Sequence, residues 1–321
     1  MFKKRNLANR LWLKYTDRPK YKDYKWELKN YKELEYNNFL HAEQRLNTAD
    51  KIVSIANVKH EITFLHSGNA GDIIYALPTI KKLHELTGAN MRLFFGINKQ
   101  VIFPKHFTHP LGNVMLNQKM VDMLFPLLRQ QEYISSCEVY TDQKIDIDLD
   151  YFRAGLVPQD KGNIARWCSY ITGVSPDLWK KWLTVEPNTT FSNNILLARS
   201  GRYQNKYINY AFINDYDNVL FVGVESEYKE IKKQIPKIQW VEVKDFLQLA
   251  CIIAGCKFFI GNQSFPYSIA EALKVSRILE VSFEVINVVP EGPNGHDFLF
   301  QDHFESLVKS LNDPISSTDG E

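Results

Sequence analysis

The sequence predicts an α/β protein of two doubly wound domains facing a central cleft, preceded by a helical, basic N-terminal arm. Three observations predict it. Short apolar runs alternate with helical periods from residue 61 to about residue 140, the pattern of a parallel sheet with helices on both faces. The same grammar returns from residue 194 to residue 281. Between the two lies an irregular stretch whose prolines and turn residues make 185 to 193 the best boundary. With 321 residues, 45% of them apolar, the chain supplies two sizeable cores.

The arm comes first. Residues 1 to 30 hold ten Lys and Arg side chains against Asp17, Asp23 and Glu27, with Trp12, Tyr15, Tyr21, Tyr24 and Trp26 interleaved. The ordinary expectation for such a run is a solvated arm whose aromatic residues pack back on the body. Its alternative is an arm resting on an anionic membrane surface or a polyanionic glycan. No apolar run reaches the length of about 18 residues that a membrane span needs, and MFKKRNLANRLWLKY lacks the apolar core of a signal peptide. A cytoplasmic location is therefore expected, peripheral at the membrane face if the arm binds there. Lys and Arg (39) barely exceed Asp and Glu (37), which argues against a dedicated nucleic-acid binder. Cys137, Cys168, Cys251 and Cys256 show neither disulfide nor zinc spacing and read as reduced, buried residues.

ELEYNNFLHAEQRLNTADKIVSIAN (33 to 57) has helical spacing. EITFLH, MRLFFGI and SCEVYTD then read as buried strands, separated by the helices DIIYALPTIKKLHEL and KMVDMLFPLLRQQ. In the second half NILLARS, NVLFVGV, QWVEV, KFFIG and SRILEV are strands, with DFLQLACIIAG and SFPYSIAEALKV as helices. The domains implied are an arm at 1–57, a first domain at 58–188 and a second at 189–321. Ligands are expected at the carboxyl ends of the strands.

Two strand-to-helix turns carry the chemistry. HSGNAGDIIYALPTI (66 to 80) contains neither GxGxxG nor GxxxxGK[ST], so the dinucleotide and P-loop patterns are absent. Asp72 would repel a phosphate from this turn, because it competes for the same helix dipole. It is either a helix cap worth about 1 kcal/mol or a carboxylate at the mouth of a cleft, where a general base stands. Ser67, Gly68, Asn69 and Gly71 form the loop around it. In KFFIGNQSFPYSIAEALKV, by contrast, no acidic residue precedes Glu271. The turn at Asn262, Gln263 and Ser264 can offer free N–H groups to a diphosphate, or Ser264 is simply an N-cap. Arg199, Arg202 and Lys206, after the strand NILLARS, are cationic candidates for the same diphosphate. Glu225 and Glu280 are weaker candidates for nucleoside hydroxyls.

KIDIDLD supports a different chemistry. On a strand, Asp146, Asp148 and Asp150 would project three carboxylates from one face, suited to a divalent cation of the kind that metal-dependent GT-A glycosyltransferases use. Three acidic side chains at a solvated edge are the ordinary alternative. His106 and His109 read as loop residues.

GDIIYALP, together with DFLQLACIIAGCKFFIGNQSFPYSIAEALKVSRILE, resembles the heptosyltransferase-like branch of the GT-B glycosyltransferases over residues 61 to 300. Where that branch carries D-[ST]-G-x-x-H, this chain has Gln263, Ser264, Phe265 and Ser268. The resemblance implies two Rossmann-like domains, the first for the acceptor and the second for a nucleotide-sugar donor. It implies Asp72 as general base, a glycan or lipid-linked glycan as acceptor, direct displacement of the diphosphate, and neither metal nor cofactor. A GT-B sugar-nucleotide epimerase or hydrolase would need the same diphosphate site but no second substrate, and a glycan- or nucleotide-binding protein without activity could keep the fold and lose the chemistry.

Overall fold

The structure is a computed structural model that describes residues 2–40 (side chains to residue 34), 45–100, 111–154 and 157–313. His106 and His109 lie outside these residues. The arm is a helical hairpin, α1 (Leu7–Thr16) and α2 (Arg18–Leu40). Asn6 caps α1 by accepting the Asn9 N–H at 2.8 Å, and Asp17 ends it and then accepts the Lys20 N–H at 3.1 Å. Leu13 and Tyr24 are buried in the hairpin, and the Phe2 ring lies against Tyr24 and Tyr31. Trp12, Tyr15 and Trp26 stay exposed, so these aromatic residues do not pack back on the body as expected. The helical pattern expected over 33 to 57 is split: Thr48 accepts the Lys51 N–H and opens a separate helix, α3 (Ala49–Lys59).

The first half continues with β1 (Glu61–His66), α4 (Ala70–Thr87), β2 (Asn90–Phe95), α5 (Gln118–Leu128), β3 (Ile134–Val139) and β4 (Ile147–Asp148). Its sheet has the order β3-β2-β1-β4 with every pair parallel. A 3-10 turn (Leu149–Ala154) follows β4, and α6 (Trp167–Thr172) leads toward the second half. That half holds β5 (Ile195–Ala198), β6 (Val219–Phe221), α7 (Glu225–Ile231), β7 (Gln239–Trp240), α8 (Phe246–Gly255), β8 (Phe258–Asn262), α9 (Phe265–Leu273), β9 (Arg277–Glu280), β10 (Gly295–Phe298) and α10 (Gln301–Asn312). Its sheet runs β10-β9-β8-β5-β6-β7, again all parallel. Counted from its own first strand this is the 3-2-1-4-5-6 order of a doubly wound Rossmann-like sheet. Strands β5, β8 and β9 are buried on both faces, which explains their unbroken apolar runs.

Strand order reverses beside β1 and β4 in the first sheet, and beside β5 and β8 in the second. These two switch points are where an open α/β sheet leaves a crevice. The turns after the four strands hold Asp72, Asp150, Arg199 and Gln263. Helix α4 packs on α9 and α5 on α8, so one apolar cluster runs through both halves. A second cluster fills the outer face of the larger sheet.

Pro78, inside α4, has no N–H to give the Ile74 carbonyl. The indole N–H of Trp182 donates to that oxygen instead, at 3.0 Å. The Trp182 backbone N–H donates to Ala272 O of α9, also at 3.0 Å, so this buried residue ties a helix of each half to the other.

Candidate active site

The N-terminal turns of α4 and α9 meet. A Cβ on Gly71 would lie 3.9 Å from both the Phe265 backbone and Ser268 Oγ, so the two turns singled out in the sequence face each other across the junction.

Asn69, not Asp72, is the N-cap of α4. Asp72 stands at the third helical position of a capping box, its Oδ2 accepting the Asn69 N–H at 3.2 Å. The same oxygen accepts a hydrogen bond from Arg153 Nη2 at 2.5 Å. Arg153 also donates through Nη1 to Asp150 Oδ1 at 2.8 Å, and its guanidinium lies 4.2 Å from the centre of the Phe152 ring. Asp150 Oδ1 accepts the Ser67 N–H as well, at 3.1 Å, which fixes the start of the loop. His66, the last residue of β1, is buried, and its Nδ1 accepts the Gly68 N–H at 3.0 Å. Its Nε2 has no partner. Burial, outweighing the nearby carboxylate of Asp150, pulls the His66 pKa down to about 4, so the ring is neutral at pH 7. Burial pushes the Asp150 carboxyl up, but His66, Arg153 and the Ser67 hydrogen bonds outweigh it and hold the group below the ordinary aspartate range.

Gly68 sits where these groups converge. A Cβ there would come within 2.7 Å of His66 Cε1, 2.8 Å of Asp72 Oδ2 and closer still to Arg153 Nη2. The glycine is thus required by close approach rather than by an unusual φ. The side chain of Asp72 is 17% exposed, so the carboxylate keeps limited access to solvent.

On the other side, Asn262 is fully buried and pins the loop after β5. Its Oδ1 accepts the Ser200 N–H at 2.9 Å, and its Nδ2 donates to the carbonyls of Ser200 and Arg202. Gln263 donates to Asn287 Oδ1 at 2.6 Å, while its amide oxygen is buried with no partner. Ser264 is the N-cap of α9, yet its hydroxyl makes no cap hydrogen bond and is likewise buried and unpartnered. Two polar oxygens and a helix N-terminus therefore stand at this turn.

The expected role of Arg199 needs correction. Its Nε and Nη2 donate to the two oxygens of Glu280 at 2.7 and 2.8 Å, and both residues are buried. Glu280 also accepts from Tyr210 Oη at 2.7 Å and from the Asn205 N–H. The Arg199 charge is matched inside the fold, and Glu280 has no oxygen to spare for a nucleoside. Glu225 is exposed and pairs with Lys229 one turn along α7. Neighbouring Glu227 instead turns toward the cleft loop, its Oε1 accepting the Gly201 N–H at 3.1 Å. Burial raises its carboxyl above the ordinary glutamate range, against the pull of the Gly201 and Val224 backbone and of Arg202.

Arg202 and Tyr203 occupy the same loop. Tyr203 takes a left-handed φ of 57°, a strained conformation for a bulky residue that functional loops often retain. Burial raises its phenol pKa, with Arg202 opposing and the Asp72 charge adding to the rise, so the loop after β5 lies within electrostatic range of Asp72.

The three aspartates of KIDIDLD do not share a face, because only Ile147 and Asp148 are strand. Asp146 is held by Lys59 and Thr63, Asp148 accepts the Asp150 N–H, and Asp150 belongs to the Arg153 cluster. Among the described residues no group of three or more potential ligands could hold a metal ion.

No protein-family pattern matches the sequence, and no curated protein matches it. Solved structures do. The chain is similar to Escherichia coli ADP-heptose lipopolysaccharide heptosyltransferase II, with a TM-score of 0.52 and 11% identity over 78% of this chain and 98% of that one. It is also similar to a family 9 glycosyl transferase of Veillonella parvula (TM-score 0.49, 12% identity, 80% and 90% coverage). E. coli heptosyltransferase WaaC with ADP gives 0.47 at 10% identity, covering 78% and 99%. The first likeness establishes the fold: two Rossmann-like halves of the GT-B type.

Proposed function

We propose that the chain is a metal-independent glycosyltransferase, moving a sugar from a nucleotide-sugar donor to a hydroxyl of a glycan or lipid-linked glycan. One observation carries this reading: the turn that holds Asp72 and the turn at Gln263 and Ser264, before the N-terminus of α9, converge at the first turns of α4 and α9. Asp72 takes the proton of the acceptor hydroxyl as its oxygen attacks the anomeric carbon. The bond from that carbon to the diphosphate breaks, and the nucleoside diphosphate leaves with the electron pair.

Arg153 aims Asp72; it occupies Oδ2 and leaves Oδ1 for the acceptor. The turn at Gln263 and Ser264, the N-terminus of α9 and Arg202 stabilise the charge that develops on the leaving group, commonly the largest catalytic contribution. Arg199 is not assigned to the diphosphate, and Glu227 replaces Glu225 and Glu280 as the acidic residue at the nucleoside end.

A second reading, a glycan- or nucleotide-binding protein without transfer, is favoured by the engagement of Arg199 with Glu280 and of Asn262 with the loop after β5, which leaves few side chains to stabilise a departing diphosphate. Incubation with a panel of sugar nucleotides, with and without glycan acceptors, separates the two. Acceptor-dependent release of nucleoside diphosphate supports transfer. Release without acceptor indicates a hydrolase or epimerase, and binding without release indicates the inactive protein.

A further inference from the structure

Helix α1 is built inside out. Its deeply buried side chain is Leu13, whereas Leu7, Leu11 and Tyr15 stand four residues apart on one stripe, with Trp12 beside them. They are 67%, 46%, 80% and 65% exposed, in that order. At 3.6 residues per turn the stripe covers about 140° of the helix surface. Among the described residues the stripe stays largely open to solvent. Large apolar side chains gathered on one exposed helix face mark an interaction surface.

The charge around the stripe selects the partner. Lys3, Lys4 and Arg5 precede the helix, Arg10 and Lys14 flank one edge, and Arg18 follows, within a segment of ten basic and three acidic residues. A second copy of the chain would bring two positive surfaces together. A nucleic acid or polyanionic glycan would match the charge and leave the apolar stripe in water. An anionic bilayer satisfies both, with apolar side chains among the acyl ends of the headgroup region and cations on acidic headgroups.

We propose that α1 is a membrane-docking helix that lies in the plane of an anionic lipid surface, its Leu7, Leu11, Trp12 and Tyr15 face inserted. Ten residues rise only about 15 Å, half of a bilayer core. Among the described residues no helix is long and apolar enough to cross a membrane. The inference is independent of the transferase reading.

The test is flotation of the full chain with lipid vesicles, which does not read transfer. Vesicles of phosphatidylcholine alone are compared with vesicles containing about a third phosphatidylglycerol. The protein is expected to float with the anionic vesicles, and raising salt from about 0.05 to about 0.5 M should weaken the association. Brominated acyl chains should quench tryptophan emission from the bound protein. Leu11→Glu and Trp12→Glu, with the melting temperature measured beside binding to show that the fold holds, should each lower vesicle partitioning about tenfold or more. Lys14→Glu should lower it by several-fold. The proposal is overturned if the chain ignores anionic vesicles, if Trp12→Glu binds as well as the parent, or if neutral vesicles bind equally. Sedimentation showing a dimer that Trp12→Glu dissolves, without vesicle binding, would assign the face to a second copy instead.

Discussion

Glu280→Gln puts the reassignment of Arg199 at risk. In the fold Glu280 is fully buried and accepts hydrogen bonds from Arg199, Tyr210 and Asn205. Gln keeps the shape but removes the charge, and it turns an N–H₂ donor toward groups that are themselves donors. Breaking a buried pair from one side costs about 3–5 kcal/mol, because the other charge remains buried and uncompensated. At about 2–4 °C per kcal/mol for a domain of this size, the melting temperature should fall by about 6–20 °C in calorimetry. The double variant Arg199→Met/Glu280→Leu, which removes both charges, should melt well above Glu280→Gln. A Glu280→Gln protein that melts like the parent while losing affinity for nucleoside diphosphates would refute the structural role and return Glu280 to the nucleoside.

Other outcomes follow from the same contacts. The folded chain leaves His66 neutral down to pH about 4, whereas an ordinary histidine protonates at 6.5. The unfolded chain then binds more protons between these values, so stability should fall as pH drops through that window, at about 1.4 kcal/mol per unit. Asp150, held below its ordinary 3.8, adds a loss only under that pH, and His66→Asn should flatten the upper part of the profile. Trp182→Phe leaves the Ile74 carbonyl without its donor and should cost about 1–3 kcal/mol in urea unfolding. Gly68→Ala forces Arg153 away from Asp72 and should lower transfer much more than it lowers stability, checked by kinetics beside thermal melting. With Asp146 and Asp150 engaged by Lys59 and Arg153, transfer should persist in excess EDTA. Loss of activity that manganese restores would return the chemistry to the aspartates.

Much of the fold was legible because parallel strands buried on both faces write continuous apolar runs, as in ILLA and FFIGN. What escaped had no such signature. The β4 strand is two residues long, β10 reads GHDF, and α7 reads ESEYKEI with a single buried residue, Ile231. The two turns of the site were visible as breaks between strand and helix. Arg153 was not, because 81 residues separate it from Asp72 and only the crossing of β4 beside β1 brings them together. His66 offered a readable sign, a polar residue ending an apolar strand at its carboxyl end. Arg199 misled for a related reason: position after a strand shows where an arginine starts, and its burial against Glu280, 81 residues away, decides where it points.

The most direct test of the proposed chemistry is Asp72→Asn, measured for rate and melting temperature on one preparation. Asparagine keeps an oxygen for the Asn69 N–H and so keeps the capping box. What it loses structurally is its charge in a largely buried ion pair with Arg153, which keeps Asp150 as a partner; a hydrogen bond to a charged group is worth about 1.5–3 kcal/mol. As a general base it is useless, so acceptor-dependent release of nucleoside diphosphate should fall by about 10²- to 10⁴-fold while the melting temperature falls by about 3–12 °C and the chain stays folded in the assay. Near-parental transfer by Asp72→Asn would contradict the assignment of the base and leave Asp72 a capping residue.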